Sequence, residues 1–187
     1  ENPQQRAAFY RAPLPAKNSL VLATQLQGKE LSYNNINDAN AALSLLAEFA
    51  EPAAVAVKHM NPCGVGTGAN LEEAFSKAFA GDPVSIFGGI VALNRPVDQN
   101  TAKRLHEVFL EIVIAPSFTA EALEILQRKK NLRLLTLPLD VSPSSGMQYV
   151  SVPGGLLVQT EDWATLEEGS LQVVTETKPT AEELVAL

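Results

Sequence analysis

The sequence has 187 residues, of which 46% are apolar and 19% are charged, and its formal net charge at pH 7 is −7. The length suits one domain, or two small lobes that share a core. The excess of acidic residues argues against nucleic-acid binding, because such binding depends on Lys and Arg side chains that neutralise phosphates.

The chain contains one cysteine, Cys63, which excludes an intrachain disulfide and the Cys-rich zinc frameworks. No apolar run reaches the roughly 20 residues that span a membrane, and the first residues do not form a cleavable signal pattern. We therefore expect a cytoplasmic protein without a membrane partner. Because the chain begins at Glu1 rather than Met, and its last residues start a helical pattern, we expect a piece of a longer protein.

Strands and helices are predicted to alternate along most of the chain. After a polar, proline-containing segment that should be extended, the alternation begins with a strand and covers residues 19–26, 34–50, 53–59, 71–81, 85–94, 97–109, 110–116, 118–130 and 132–137. Two short strands within 147–160 and a helix capped by Thr180 follow. We predict an α/β fold, a layered α/β/α arrangement with a mixed, largely parallel sheet.

We predict that the chain consists of three parts that differ in secondary structure. Residues 1–18 form the extended segment, residues 19–140 form the α/β core, and residues 141–187 form a β extension and the start of a helix. Asn35 or Asn37 is a plausible N-cap for the first long helix. Between the strand 53–59 and the next helix, the glycine-rich run CGVGTG predicts a flexible turn.

Lys58 and His59 stand at the end of a predicted strand, where ligands collect in α/β sheets. A histidine can act as a general base near neutral pH, and an adjacent cation can stabilise developing negative charge. The alternative is structural: a histidine hydrogen-bonded within the core beside a lysine that reaches solvent. The residues alone leave both interpretations open.

Other polar residues offer weaker signals. The amides of Asn34, Asn35 and Asn37 exceed what helix capping needs, so one of them could bind a ribose or a carboxamide. Glu111 lies inside an apolar strand, where a carboxylate needs either a ligand hydroxyl or an ion pair. His106 belongs to an amphipathic helix and is expected at the surface or at an edge.

Two further patterns resemble known kinds of binding site, but we expect neither site in this protein. The glycine-rich turn before the helix 71–81 could cradle a phosphate, but Glu72 and Glu73 in the first helical turn would repel one. Pro62-Cys63 matches half of the P-C-x-x-C element of zinc deaminases, and Gly66 occupies the place of the second cysteine. We therefore expect no metal.

Six motifs together resemble the transformylase region of the bifunctional purine-biosynthesis enzymes that couple AICAR (aminoimidazole carboxamide ribonucleotide) transformylase to IMP cyclohydrolase. In chain order they are ENPQQ…AAFY, LSYNNINDANAA, VKHMNPCGVG, DPVSIFGGIVALN, VIAPSFTAEALEIL and GGLLVQ. The resemblance is to the first of two transformylase lobes, of bacterial type. It implies a cytidine-deaminase-like fold without the deaminase zinc.

The resemblance also implies a reaction and its residues. The family transfers a formyl group from 10-formyltetrahydrofolate, the cosubstrate, to the 5-amino group of AICAR in IMP biosynthesis. It implies His59 as the base, Lys58 as the stabiliser of the transition state, and Asn35, Gly88 and Glu111 as contacts to the nucleotide. The resemblance further leads us to expect that a second lobe and a cyclohydrolase domain belong to a longer protein and lie outside this sequence.

The family forms its active sites between the subunits of a homodimer, so this lobe alone is expected to be inactive or nearly so. The alternatives are a non-catalytic folding or assembly module, and a stand-alone nucleotide-binding domain.

Overall fold

The computed structural model describes residues 4–139, 146–162, 164 and 171–186. The chain divides into two compact units, Glu1–Ser142 and Pro143–Leu187. The boundary predicted after Asp140 lies outside the described residues.

Over residues 4–139, the first unit contains one six-stranded sheet and four helices, preceded by a short 3-10 turn at Leu20–Leu22. The strands are β1 (Thr24–Gln27), β2 (Ala53–Lys58), β3 (Asn61–Thr67), β4 (Gly89–Leu93), β5 (Leu110–Ala115) and β6 (Arg133–Thr136). The helices are α1 (Tyr33–Leu46), α2 (Leu71–Gly81), α3 (Gln99–Glu107) and α4 (Ala120–Leu126).

The sheet has the order β1-β6-β5-β4-β2-β3. β4, β5 and β6 run parallel to one another, whereas β1 is antiparallel to β6, and β2 is antiparallel to both β3 and β4. The mixed sheet is therefore confirmed. Its parallel share is smaller than expected, because two of the five pairings between these described strands are parallel.

The central strands carry apolar side chains on both faces. On β2, Val55 and Val57 join one cluster with Ala39 and Ala42 of α1, while Ala54 and Ala56 join a second cluster with residues of α2, α3 and α4. The residues in both clusters are nearly inaccessible to solvent. A strand buried on both faces has no polar alternation, and the sequence of β2 shows none; the α/β/α layering is confirmed.

The glycine-rich run after β2 is not a flexible turn, so that prediction was wrong. It forms the edge strand β3, which pairs with β2 and packs closely against α2. A Cβ at Gly64 would overlap the carbonyl oxygen of Ala78, and a Cβ at Gly66 would overlap that of Ala74. The glycines therefore permit a close strand–helix approach, which is one of the reasons that glycine occurs inside a strand.

Several helix and strand boundaries also differ from the predictions. Ser32, and neither asparagine, is the N-cap of α1, and it forms a capping box with Asn35. The predicted strand 19–26 is split into the 3-10 turn and β1, and β4 begins only at Gly89 because residues 83–88 form turns.

The second unit contains a hairpin and a short helix. β7 (Met147–Val152) pairs antiparallel with β8 (Gly155–Thr160), and α5 (Ala181–Ala186) is capped by Thr180, as predicted. All hairpin residues are exposed. In the part of the chain that the structure describes, no helix is both long enough and apolar enough to cross a membrane.

Candidate functional site

All five residues predicted for the site lie at or beside one edge of the six-stranded sheet. Lys58 ends β2, and His59 follows it. Gly88 directly precedes β4, Glu111 is the second residue of β5, and Asn35 lies in the first turn of α1. We call this set, with Arg133 at the start of β6, the polar edge.

Strand direction brings these residues to the same edge. β2 runs antiparallel to β4, and Val57 pairs with Ile90, so the end of β2 lies beside the beginning of β4. β5 and β6 are parallel to β4, so they begin at the same edge. The expectation that the site would use the carboxyl ends of strands therefore holds for β2 alone, and the other three strands contribute their amino ends.

His59 occupies a tight two-residue turn between β2 and β3. Lys58 pairs with Asn61 across the turn, and both residues between them have positive φ, 55° for His59 and 62° for Met60. Two-residue hairpins favour this left-handed backbone because its twist matches that of the strands. The His59 side chain is exposed at the tip and is not hydrogen-bonded in the core.

Three hydrogen bonds to the side chains of Asp38 and Asn61 hold the turn. Both backbone amides donate to the carboxylate of Asp38 on α1, His59 N to Oδ2 at 3.3 Å and Met60 N to Oδ1 at 2.8 Å. Asn61 Nδ2 donates to the carbonyl oxygen of His59 at 2.8 Å. The backbone of His59 is therefore held at both its amide and its carbonyl.

Lys58 is fixed beside the turn that contains Gly88. Its Nζ donates to the carbonyl oxygen of Phe87 at 2.7 Å, and Gly88 N donates to the carbonyl oxygen of Phe109, also at 2.7 Å. Gly88 has φ +73°, and a Cβ there would lie 4.0 Å from the Lys58 Nζ. An ammonium has three donors, so one bond to a carbonyl leaves capacity for a ligand oxygen.

Glu111 occupies an irregular position in β5. Gly89 pairs with Leu110 and Ile90 with Ile112, so Glu111 is an extra residue between two regular pairings. Such a bulge leaves the extra residue outside the regular ladder and redirects a side chain. Here the irregularity leaves the Glu111 side chain 44% exposed although its strand is otherwise buried.

Asn35 and Arg133 both contact the Glu111 carboxylate. Asn35 Nδ2 donates to Glu111 Oε2 at 2.8 Å, and Arg133 Nη1 lies 3.9 Å from the same oxygen. Arg133 is itself anchored, because its Nε donates to the carbonyl oxygens of Lys29 and Glu30. The ion pair that the sequence left open is present, whereas the alternative of a ligand hydroxyl stays a prediction.

Sequence reasoning missed four residues around this edge. Asp38 and Arg133 were hidden because nothing in the local pattern shows which distant residue an acidic or basic side chain will meet. Phe87 and Phe109 flank Gly88, and their rings are tilted with centroids 5.0 Å apart. Both rings are about half exposed, which local hydrophobicity alone does not predict.

Cys63 and His106 lie outside the polar edge. The Cys63 thiol contacts the carbonyl oxygen of Ala56 at 3.5 Å, and burial raises its pKa, so the thiol is poorly suited to act as a nucleophile. His106 is half-buried, with Nδ1 lacking a hydrogen-bond partner. Burial and the positive charges of Lys129 and Arg128 lower the pKa of its imidazole.

In the described part of the chain, neither the amino end of α2 nor a cluster of possible metal ligands offers a second candidate site. Asn70 caps α2 by accepting from Glu73 N at 2.9 Å, and the first turn carries the two acidic side chains that disfavour an anion. No three His, Cys, Asp or Glu side chains within the described ranges are grouped so that they could share a metal ion.

In the comparison with known proteins, the family model and the individual relatives indicate the same group of proteins. The family model described as the AICARFT/IMPCHase bienzyme matches residues 1–187. The chain is 66% identical over 183 residues to the bifunctional purine biosynthesis protein PurH of Anoxybacillus flavithermus, and 60% identical over the same length to that of Bacillus cereus. Both alignments cover 98% of this chain and 36% of the relative, so the chain spans about a third of their length.

Solved structures give a more distant match. RibD of Acinetobacter baumannii is 13% identical, with a TM-score of 0.44 over 56% of this chain and 36% of that one. A dCMP deaminase from cyanophage S-TIM5 is 15% identical, with a TM-score of 0.41 over 55% of this chain and 98% of that one. At these scores the two structures carry no argument about function.

Proposed function

The chain belongs to the AICARFT/IMPCHase bienzyme family, and on that premise we propose that it supplies the base and part of the nucleotide site for AICAR formyl transfer. The reaction is the transfer of a formyl group from 10-formyltetrahydrofolate to the 5-amino group of AICAR, a step of purine biosynthesis. The observation that carries the proposal is the position of Lys58 and His59 beside Gly88, Glu111 and Asn35 at one sheet edge.

The chemistry needs a base and a positive charge. The 5-amino group is a weak nucleophile, because its lone pair is delocalised into the imidazole ring and the carboxamide. Attack on the formyl carbon forms a C–N bond and places a negative charge on the formyl oxygen. A base must then remove a proton from the attacking nitrogen, and a cation must stabilise the oxyanion.

His59 is proposed as the base. Its imidazole is exposed at the tip of the hairpin, while its backbone is held at both ends by Asp38 and Asn61. An accessible imidazole on a fixed backbone is suited to act as a base, because it can reach the substrate while its orientation stays defined. The proton that it accepts can pass to N10 of the folate as the C–N10 bond breaks and tetrahydrofolate leaves.

Lys58 is proposed as the cation that stabilises the oxyanion. Its ammonium is fixed by the carbonyl oxygen of Phe87 at 2.7 Å, next to the position where glycine leaves the backbone uncovered at Gly88. A preorganised donor costs little rearrangement when charge develops, which is the basis of oxyanion stabilisation. We propose that the Lys58 ammonium contacts the formyl oxygen while the His59 imidazole contacts the attacking nitrogen of the same tetrahedral centre.

Asn35 and Glu111 are proposed to bind the nucleotide. The Glu111 carboxylate can accept hydrogen bonds from ribose hydroxyls, and its position is fixed by Asn35 and Arg133. The proposed partners of the chain are AICAR, the folate cosubstrate, the remainder of a full-length protein, and a second subunit. The proposal includes neither a metal nor nucleic acid.

Calorimetric titration with AICAR tests the binding part of this proposal on the full-length protein, because the chain spans only a third of its relatives' length. We expect Glu111→Ala to weaken AICAR binding by at least about tenfold, the loss of one charged hydrogen bond. Glu124→Ala is the matched control, since Glu124 is exposed on α4 and pairs only with Arg128 at 3.5 Å. Equal affinities for the two variants would contradict the assignment of Glu111.

A further inference from the structure

We propose that Asp38 is a positioning residue that holds the His59–Met60 turn, and through it the imidazole of His59, in the orientation that the transfer needs. The inference rests on the proposed function, because it concerns the residue that we propose as the base. It rests on geometry that no motif suggested: one carboxylate on α1 receives two consecutive backbone amides of the turn.

The turn cannot rely on its own sequence for its shape. Both central residues adopt the left-handed conformation, with φ 55° and 62°, and Met60 is not among the residue types, Gly, Asn, Asp and His, that occur there most often. Residues with a larger Cβ substituent disfavour this region because the side chain crowds the backbone. Two such residues in a row persist only where the surrounding structure compensates, and strain of this kind is concentrated at functional sites.

Asp38 supplies that compensation from a rigid element. Its Oδ1 accepts from Met60 N at 2.8 Å and its Oδ2 from His59 N at 3.3 Å, so both carboxylate oxygens are used. The helix that carries it is anchored to the sheet through Ala39 and Ala42, which are fully buried. The turn is therefore fixed to α1 as well as to its own two strands.

The same helix organises both halves of the polar edge. Asn35 and Asp38 are three residues apart, so their side chains leave neighbouring turns on one side of α1. Asn35 orients Glu111, and Asp38 holds the turn that contains His59. One helical segment thus sets the spacing between the proposed nucleotide contact and the proposed base.

Steady-state kinetics on the full-length protein tests the positioning role. We expect Asp38→Ala to lower kcat for formyl transfer by roughly 100-fold, the size of effect that a small misplacement of a catalytic group produces. The KM for AICAR should change much less, since Asp38 is proposed to contact the turn and not the substrate. Asp38→Asn retains one acceptor oxygen, so its kcat should lie between that of the wild type and that of Asp38→Ala. Asn40→Ala, at an exposed position of the same helix, is the matched control and should keep the wild-type kcat.

A rescue experiment separates positioning from any other role of the carboxylate. Met60→Gly removes the Cβ that disfavours positive φ, so the double variant Asp38→Ala/Met60→Gly should recover most of the lost kcat. A double variant as slow as Asp38→Ala would contradict the proposal, because the carboxylate would then act by some route other than the shape of the turn. A kcat for Asp38→Ala within twofold of the wild type would also contradict it.

Hydrogen–deuterium exchange distinguishes failure of this inference from failure of the proposed function. In the full-length protein, a peptide containing the amides of His59 and Met60 should exchange at least about tenfold faster in Asp38→Ala than in the wild type. Unchanged exchange would overturn the role of Asp38 whatever the protein catalyses. If exchange accelerates but the wild type does not transfer formyl groups, Asp38 holds the turn and the proposed function is wrong.

Discussion

The side-chain amide of Asn35 on α1 donates to Oε2 of Glu111 on β5 at 2.8 Å, across 76 residues of sequence. The oxygen of the same amide accepts from the backbone N of Ser32 at 3.1 Å, so Asn35 also completes the capping box that begins the helix. A single buried side chain therefore links the start of a helix to the polar edge. Its loss should affect stability and the candidate site together.

We expect Asn35→Ala to lower the free energy of unfolding by about 1–2 kcal/mol, because it removes both the capping contact and the bond to Glu111. Urea unfolding followed by circular dichroism measures the change. Asn34→Ala is the matched control, since the neighbouring asparagine is exposed. A loss of equal size in both variants would show that the contact with Glu111 and the cap contribute nothing specific.

The close approach of β3 to α2 gives a second prediction. Gly66→Ala should destabilise the protein by roughly 1–3 kcal/mol, because its Cβ would overlap the backbone of Ala74 and lie 2.6 Å from Ala78 N. Gly81→Ala is the control, because the nearest atom to a Cβ there is 3.5 Å away. That substitution should be neutral, or stabilising by up to about 1 kcal/mol, since alanine favours helix. Thermal unfolding of both variants would decide, and a stable Gly66→Ala protein would contradict the packing argument.

Gly88 and Gly154 allow the effect of backbone strain to be separated from the effect on the site. Both have positive φ, +73° and +77°, but only a Cβ at Gly88 would approach Lys58 and Phe109. An alanine at either position incurs roughly 1–2 kcal/mol of local strain. In the full-length protein we expect Gly88→Ala to reduce formyl transfer severalfold or more, while Gly154→Ala keeps the wild-type rate. Equal rates for the two variants would remove Gly88 from the proposed site.

The N-cap of α3 predicts a dependence of stability on pH. Asp98 accepts from the backbone N of Thr101 at 2.8 Å, and this bond holds the pKa of Asp98 below its ordinary value. Because the pKa is lower in the folded than in the unfolded state, the cap stabilises the fold above the ordinary value of 3.8 and loses its effect as the pH falls below that value.

Asp98→Ala should therefore cost about 1 kcal/mol at pH 7, and the difference from the wild type should shrink as the pH falls below 3.8. Unfolding curves at pH 7 and near pH 3 measure it. Glu107→Ala offers a comparison at the other end of the same helix, where the carboxylate pairs with Arg104. A difference between wild type and Asp98→Ala that stayed constant with pH would show that the carboxylate is not the cap.

Much of the fold could be predicted from the sequence because its signals are local. The buried run of β2 has no polar alternation, and Thr180 precedes a helical pattern, so both elements were predicted correctly. The strand β3 was missed because Gly64 and Gly66 indicate a turn in isolation. Their function depends on the position of α2, which no local pattern specifies.

Five candidate residues could be named from the sequence, whereas their arrangement and their neighbours Asp38 and Arg133 could not. The motifs identified Lys58, His59 and Glu111, but the positions of their partners depend on strand order and on the irregular pairing in β5. The largely parallel sheet was expected because strands and helices alternate along the chain. β2 and β3 instead form a hairpin, and this reversal brings the carboxyl end of β2 beside the amino end of β4, at the edge where β5 also begins.

The role of His59 as the base is the central claim, and the rate of formyl transfer by the full-length His59→Ala variant tests it most directly. The chain has two histidines, so His106→Ala on α3 is the matched control. We predict that His59→Ala lowers kcat by about 10²–10⁴-fold, the contribution of a general base, in a protein that unfolds at the wild-type temperature. A His59→Ala rate within twofold of the wild type, and no lower than that of His106→Ala, would contradict the account.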